Sequence, residues 1–144
     1  MEFTFYPNEG VNNLRYGMDR VEIRNILTLD KLSKEFYRSK NSKNSCDEFY
    51  SLGIFINYDE NNNCDSFEFF QPAKVMFAEV NLMELSYLGV IDFLGYIDAN
   101  IEEDDSGCTS FLLGVGAYAP FKSDEPNNKI ESIITFKRDY YNQK

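Results

Sequence analysis

The chain has 144 residues, 43% of them hydrophobic and 16% aromatic, including 13 Phe and 10 Tyr. That argues against a disordered chain and supplies one domain-sized core with no need of a metal or disulfide. Against 14 basic residues stand 24 acidic ones, a net charge of −10, which repels nucleic acid and anionic lipid and attracts cationic proteins.

The absence of histidine removes Ser-His and Cys-His nucleophile pairs and imidazole metal ligands. Cys46, Cys64 and Cys108 are odd in number and widely spaced, so they read as reduced thiols rather than a disulfide framework or a metal site. The start Met1-Glu2-Phe3 has no basic and apolar leader pattern, and the apolar runs, such as Phe111 to Val115, are too short to span a bilayer. The expectation is a soluble cytoplasmic protein without cofactor or metal.

In chain order, Phe3 to Phe5 starts a strand that Pro7-Asn8-Glu9-Gly10 closes. Asp19 is placed to cap a short helix through Leu27, with Ile23 and Leu27 on one face and Met18, Val21 and Ile26 or Leu27 sharing another. Lys31 to Asp47 is polar and basic, with a mobile loop at Ser39 to Ser45. Leu52 to Tyr58 and Cys64 to Phe70 are strands joined by the Asp59 to Asn63 turn, since Asp and Asn tolerate left-handed backbone angles. Val75 to Val80 is a further strand. Ser86 caps a second helix from Tyr87 to Tyr96. An acidic loop, Asp98 to Gly107, then leads to strands at Thr109 to Ala119 and Ile130 to Phe136, separated by a turn region.

The halves align in three ordered blocks: Met18 to Leu27 with Leu85 to Leu94, Leu52-Gly53-Ile54 with Leu113-Gly114-Val115, and Cys64 to Phe70 with Ile130 to Phe136. The sequence therefore predicts a single α+β domain over residues 1–144, a tandem repeat of strand-helix-strand-strand units over about 1–72 and 73–144. The units are expected to form one antiparallel sheet with helices on one face.

Asp59 to Asp65 has a superficial calcium-loop pattern, but Cys64 stands where that loop needs glycine and Phe70 where it needs a bidentate Glu, so it reads as a hairpin turn. Gly114-Val115-Gly116 lacks a third glycine and a following helix, and reads as a strand with a close neighbour rather than a dinucleotide site. No two carboxylates stand out as a catalytic pair. Glu102-Glu103-Asp104-Asp105, preceded by Asp98, reads either as a solvated loop or as a lure for a basic groove. Tyr118, Tyr140 and Tyr141 are candidate interface aromatics, because tyrosine offers an apolar face with a polar tip. With Asp59 and Glu60, these are the candidate partner-binding residues, and no catalytic or metal-binding residue is assigned.

Leu14 to Arg24, with its Gly17-Met18 helix entry, together with Tyr58 to Asn62, Phe67 to Phe70 and Ile130 to Ile133, resembles uncharacterised small bacterial proteins, some akin to immunity proteins of polymorphic toxin systems. The tandem units also resemble the β-lactamase inhibitory protein and outer-membrane assembly lipoprotein families, without their export signal or lipid-attachment cysteine. The resemblance implies a non-catalytic protein that neutralises a cationic, nuclease-type toxin. The rival reading is a regulatory or scaffold domain that binds a cellular protein through a sheet edge. Neither reading involves nucleic acid or membrane, and both leave the oligomeric state open.

Overall fold

The computed structural model describes residues 1–142. The chain runs β1 (Glu2–Tyr6), β2 (Gly10–Val11), β3 (Leu14–Arg15), α1 (Arg20–Leu27), β4 (Lys34–Phe36), β5 (Cys46–Phe49), β6 (Ile54–Tyr58) and β7 (Cys64–Phe70). It continues through β8 (Lys74–Phe77), β9 (Val80–Asn81), α2 (Tyr87–Ile97), β10 (Glu102–Asp104), β11 (Gly107–Ser110), β12 (Val115–Tyr118) and β13 (Ser132–Phe136). No helix among the described residues is long and apolar enough to cross a membrane.

The fold is α+β, with two sheets where the sequence predicts one. Eight strands form an antiparallel sheet in the order β10-β11-β12-β13-β7-β6-β5-β4. The other five form a sheet ordered β3-β2-β1-β8-β9, in which β1 and β8 run parallel with Phe3 opposite Val75. The second sheet exists because Phe3, Phe5 and Val75 need cover and find it against the large sheet. The Phe3 and Phe69 rings meet at 5.0 Å.

Several segments differ from their predicted form. Val75 to Val80 is broken at Ala78-Glu79, both with left-handed φ, and folds back as the β8-β9 hairpin. The acidic segment 98–107 contains β10, and the polar segment 31–47 contains β4 and the start of β5. Both are edge strands or adjoin one, and edge positions carry charge without a burial pattern. Thr109 to Ala119 is two strands, β11 and β12, separated by a turn through Gly114.

Both predicted caps form. The Asp19 carboxylate accepts from Val21 N–H at 2.9 Å, and the Ser86 hydroxyl from Gly89 N–H at 3.0 Å. Ile23 and Leu27 of α1 and Val90 and Leu94 of α2 enter one core with Phe67, Phe69 and Ile133, so both helices lie on one face of the large sheet. Val21 and Ile26 are exposed, so the buried stripe of α1 is the Ile23–Leu27 face. The large sheet is seamed at its centre by β7 and β13, where Phe69 opposes Ile133 and Phe67 opposes Thr135.

Some contacts occur twice. Arg20 N–H donates to Asn62 O at 2.9 Å and Tyr87 N–H to Asn128 O at 3.2 Å. Gly53 and Gly114 each have φ of 75°, and each accepts through its carbonyl from a strand-end amide, Phe70 and Phe136, at 3.0 Å. A Cβ on either glycine would meet that strand-end carbonyl oxygen, at 2.4 Å for Phe70 and 2.6 Å for Phe136.

A buried ion cluster pins α1 to the sheet. Fully buried Asp47 of β5 accepts from Arg24 Nε at 2.8 Å, Arg24 Nη2 at 2.6 Å and the Tyr58 hydroxyl at 3.0 Å. The Arg20 guanidinium lies 4.0 Å from the centre of the Tyr58 ring and donates to Ser45 O. Burial first, and the Asp47 charge second, hold the Tyr58 phenol well above its ordinary pKa. Asp47→Ala leaves Arg24 and the Tyr58 hydroxyl without their buried acceptor. It is expected to cost about 3 kcal/mol, read as a lowered urea midpoint with an unchanged slope.

Candidate functional site

The strands that bury Phe67, Phe69 and Ile133 against the helices present their alternate residues on the opposite face. One row of that face runs through Phe55, Glu68, Ile134, Gly116 and Thr109, and a second through Phe70, Ser132, Tyr118 and Gly107. Because the helices occupy the other side, this outer face is left to solvent and to the C-terminal tail.

Over β11, β12 and β13 the outer face holds a groove of about 200 Å³ lined by Glu68, Asp104, Thr109, Gly116, Tyr118, Ser132, Ile134 and Tyr141, among others. Its floor is low because Gly107 and Gly116 bring no side chain. A Cβ on Gly116 would lie 3.0 Å from the Cys108 carbonyl oxygen. The charged side chains lining it, Glu68 and Asp104, are both acidic. Glu68 is ion-paired with Arg38, whose guanidinium lies 4.9 Å from the centre of the Phe55 ring.

The tail packs at one end of this face. Tyr141 meets Phe136 at 4.9 Å and Phe111 at 5.7 Å, and Tyr140 meets Phe136 at 5.9 Å. Beside the tail lies a second hollow, about 310 Å³, lined by Lys43, Tyr58, Asp59, Glu60, Asp65, Tyr140 and Tyr141. It adjoins a third hollow that shares Lys43, Tyr58, Asp65 and Tyr140 and reaches Arg38 and Asn57.

Asp65 stands at the junction because of an irregularity in β7. The β6–β7 register shifts at Asn57/Tyr58: Asn57 opposes Ser66 and Tyr58 opposes Cys64, which leaves Asp65 as the extra residue of a β-bulge. A bulge re-aims a side chain that strict alternation would send into the core. Asp65 thus lies with the outer-face residues Asn57 and Cys46, which line one of its hollows. Only 7% of Asp65 is exposed, and its Oδ1 accepts no hydrogen bond. Burial pushes its carboxyl up to about 6, with Lys137 pulling it down and Asp59 pushing it further up.

The predicted site residues fall into separate groups. Asp59, Glu60, Tyr140 and Tyr141 meet at the Asp65 hollow, and Asp104, Tyr118 and Tyr141 at the groove, so Tyr141 joins the two. Glu102 and Asp98 line a separate depression beside Phe111 and Leu112. Asp98 is buried and holds its loop, accepting from the Ser110 hydroxyl at 2.7 Å and Asn100 N–H at 2.9 Å. Glu103 accepts from the Tyr87 hydroxyl and lies 3.7 Å from the Lys122 ammonium. Asp105 is exposed in the β10–β11 turn. Among the described residues no cluster of Cys, Asp and Glu is arranged to hold a metal ion.

Asp65 and Glu68 are the participants that the sequence reading does not single out. One signal for Asp65 was present: Cys64, Phe67 and Phe69, the apolar residues of the core-facing side, are spaced by three and then two, and the odd interval marks an inserted residue. Comparison with known proteins gave no matching protein family, no matching curated protein and no matching solved structure.

A carboxyl raised by burial binds its proton more tightly in the folded state, so stability is highest below about pH 4 on this account and falls as pH rises to about 6. Asp65→Asn removes the buried charge. It is expected to raise stability at pH 7.5 by about 1–3 kcal/mol. Denaturant titrations should show that gain vanishing near pH 4.

Proposed function

We propose that this chain is a non-catalytic cytoplasmic inhibitor of the immunity type, which neutralises a cationic, nuclease-like toxin by docking it on the outer face of the large sheet. The observation that carries the reading is the joining of two hollows on one helix-free face by Tyr141, with Asp104 and Tyr118 on one side and Asp59, Glu60 and Asp65 on the other. Tyrosines rimmed by carboxylates suit a basic protein surface: the rings supply contact area, and the charges steer encounter and exclude anionic competitors. The overall charge of −10 speeds the same encounter.

The same proposal includes an internal duplication. The paired contacts of Arg20 with Tyr87, of Gly53 with Gly114 and of Phe70 with Phe136 support it. So does the β7–β13 register, in which Ser66 opposes Phe136 and Ser132 opposes Phe70, as expected for two copies related by a local two-fold axis. Duplication widens one half-sheet of four strands into a continuous eight-stranded docking face.

The test is co-expression with the C-terminal domain encoded by the neighbouring reading frame, followed by size-exclusion chromatography at low salt. A stable complex is expected, weakened as salt screens the charges. Asp104→Lys and Tyr118→Ala should each weaken it by roughly tenfold, while Glu22→Lys, on the exposed side of α1, should leave it unchanged. A complex insensitive to both outer-face variants, or no complex, overturns the proposal.

A further inference from the structure

We propose that the hollow at Asp65 is a guanidinium pocket, which takes one arginine side chain from the docked partner. The proposal rests on the docking reading above and names the chemistry that anchors it.

The pocket has an acceptor with no partner. Asp65 Oδ1 is buried and accepts no hydrogen bond; the Ser66 hydroxyl and the Lys137 charge act on the carboxylate, and the residue takes part in none of the described ion pairs. A buried carboxylate with an unmade bond carries part of its desolvation cost uncompensated, so a cation brought against Asp65 in the hollow gains more than at an exposed carboxylate. The bulge is what sets this up. One inserted residue turns Asp65 out of the core and into a wall shared by two hollows.

The cations already present do not fill that role. Arg38 is engaged by Glu68 and lies over Phe55. Lys137 donates its backbone amide to the Asp65 carbonyl at 3.0 Å, and its ammonium acts on the carboxylate only through space. Lys43, on the connection between β4 and β5, lines the rim. Asp59 and Glu60, from the β6–β7 turn, also line it, so carboxylates outnumber ammonium groups in the larger hollow.

Tyrosine rings select the shape of the cation. Tyr140 and Tyr141 line the hollow of about 310 Å³ beside the carboxylates, while the Tyr58 ring is buried beneath Arg20. A guanidinium is flat, weakly hydrated and stacks on aromatic faces while its fork of N–H donors reaches a carboxylate. An ammonium is a compact, strongly hydrated point charge that gains less from such walls. The same chain carries a model of the contact at a second buried carboxylate, where Arg20 lies 4.0 Å from the Tyr58 ring and Arg24 grips Asp47.

Protonation sets a pH limit on the pocket. The groups facing the carboxyl are Asp59 and Glu60, Lys43 and Arg38, Lys137, the phenols of Tyr58 and Tyr140, and the Cys46 thiol. Burial raises the pKa of the two phenols and of Cys46, which leaves them neutral near pH 7. The carboxyl itself, pushed up to about 6, is charged at neutral pH and loses that charge just below it.

The intact protein, uniformly labelled with 15N, is titrated with Nα-acetyl-arginine amide at about pH 7.5 and followed by amide chemical shifts. Saturable shifts around Asp65, Tyr58 and Tyr140, with a millimolar dissociation constant, are expected. Affinity should fall by roughly tenfold in Asp65→Asn, a variant expected to fold at least as stably, and by roughly tenfold in the parent protein at about pH 5. Nα-acetyl-lysine amide should bind several-fold more weakly. Unsaturable shifts, equal affinity in Asp65→Asn, or equal affinity for the two amides overturns the guanidinium pocket. If the toxin complex forms while the arginine titration fails, docking stands and the anchor falls. If the titration succeeds without a complex, the pocket stands as a cation site and the docking reading falls.

Discussion

Everything on the outer face depends on the antiparallel seam between β7 and β13. Its register places Phe67 and Phe69 opposite Thr135 and Ile133 on the core side, and Glu68 opposite Ile134 on the other. A slip of one residue would bury Glu68 and expose two phenylalanines, so the hydrophobic pattern fixes the register tightly. With it are fixed the neighbours of Glu68 and Ser132, and therefore the groove. The parallel pairing of β1 with β8 makes a second seam between the same two halves, and Phe3 ties the two sheets together at Phe69.

Two buried carboxylates show how burial divides labour. Asp47 is surrounded by donors from α1 and β6, and its charge organises the first half of the molecule. Asp65 is nearly as buried, yet one of its oxygens has no donor, and its proton affinity rises accordingly. The first arrangement stabilises the fold. The second destabilises it at neutral pH, since the charged form is held with an unmade bond.

The parts of the fold that were legible in the sequence are those governed by local chemistry. Asp19 and Ser86 announce their helices through a side chain that reaches the first-turn amides, and Asp59 to Asn63 announce a hairpin. Strands β4 and β10 were not legible, because Lys34-Glu35-Phe36 and Glu102-Glu103-Asp104 pair along an edge and bury almost nothing. The division into two sheets was hidden as well, since β1 and β8 pair across some seventy residues of chain and no local pattern encodes that choice. At the site, exposed tyrosines and turn carboxylates could be named from residue type, whereas Asp65 needed the bulge, a feature of pairing between strands. Asp98 misleads for the opposite reason: an acidic residue beside an acidic run is spent inside, on Ser110 and the Asn100 amide.

Strand β10 closes one end of the eight-stranded sheet with three consecutive, exposed acidic side chains. An open edge offers unpaired amides and carbonyls to any passing strand. Here an approaching copy brings the same three carboxylates to the junction, and like charge turns it away. The three exposed carboxylates of β10 thus set like charge against like at a β10-to-β10 join, and a neutralised β10 would lose that repulsion.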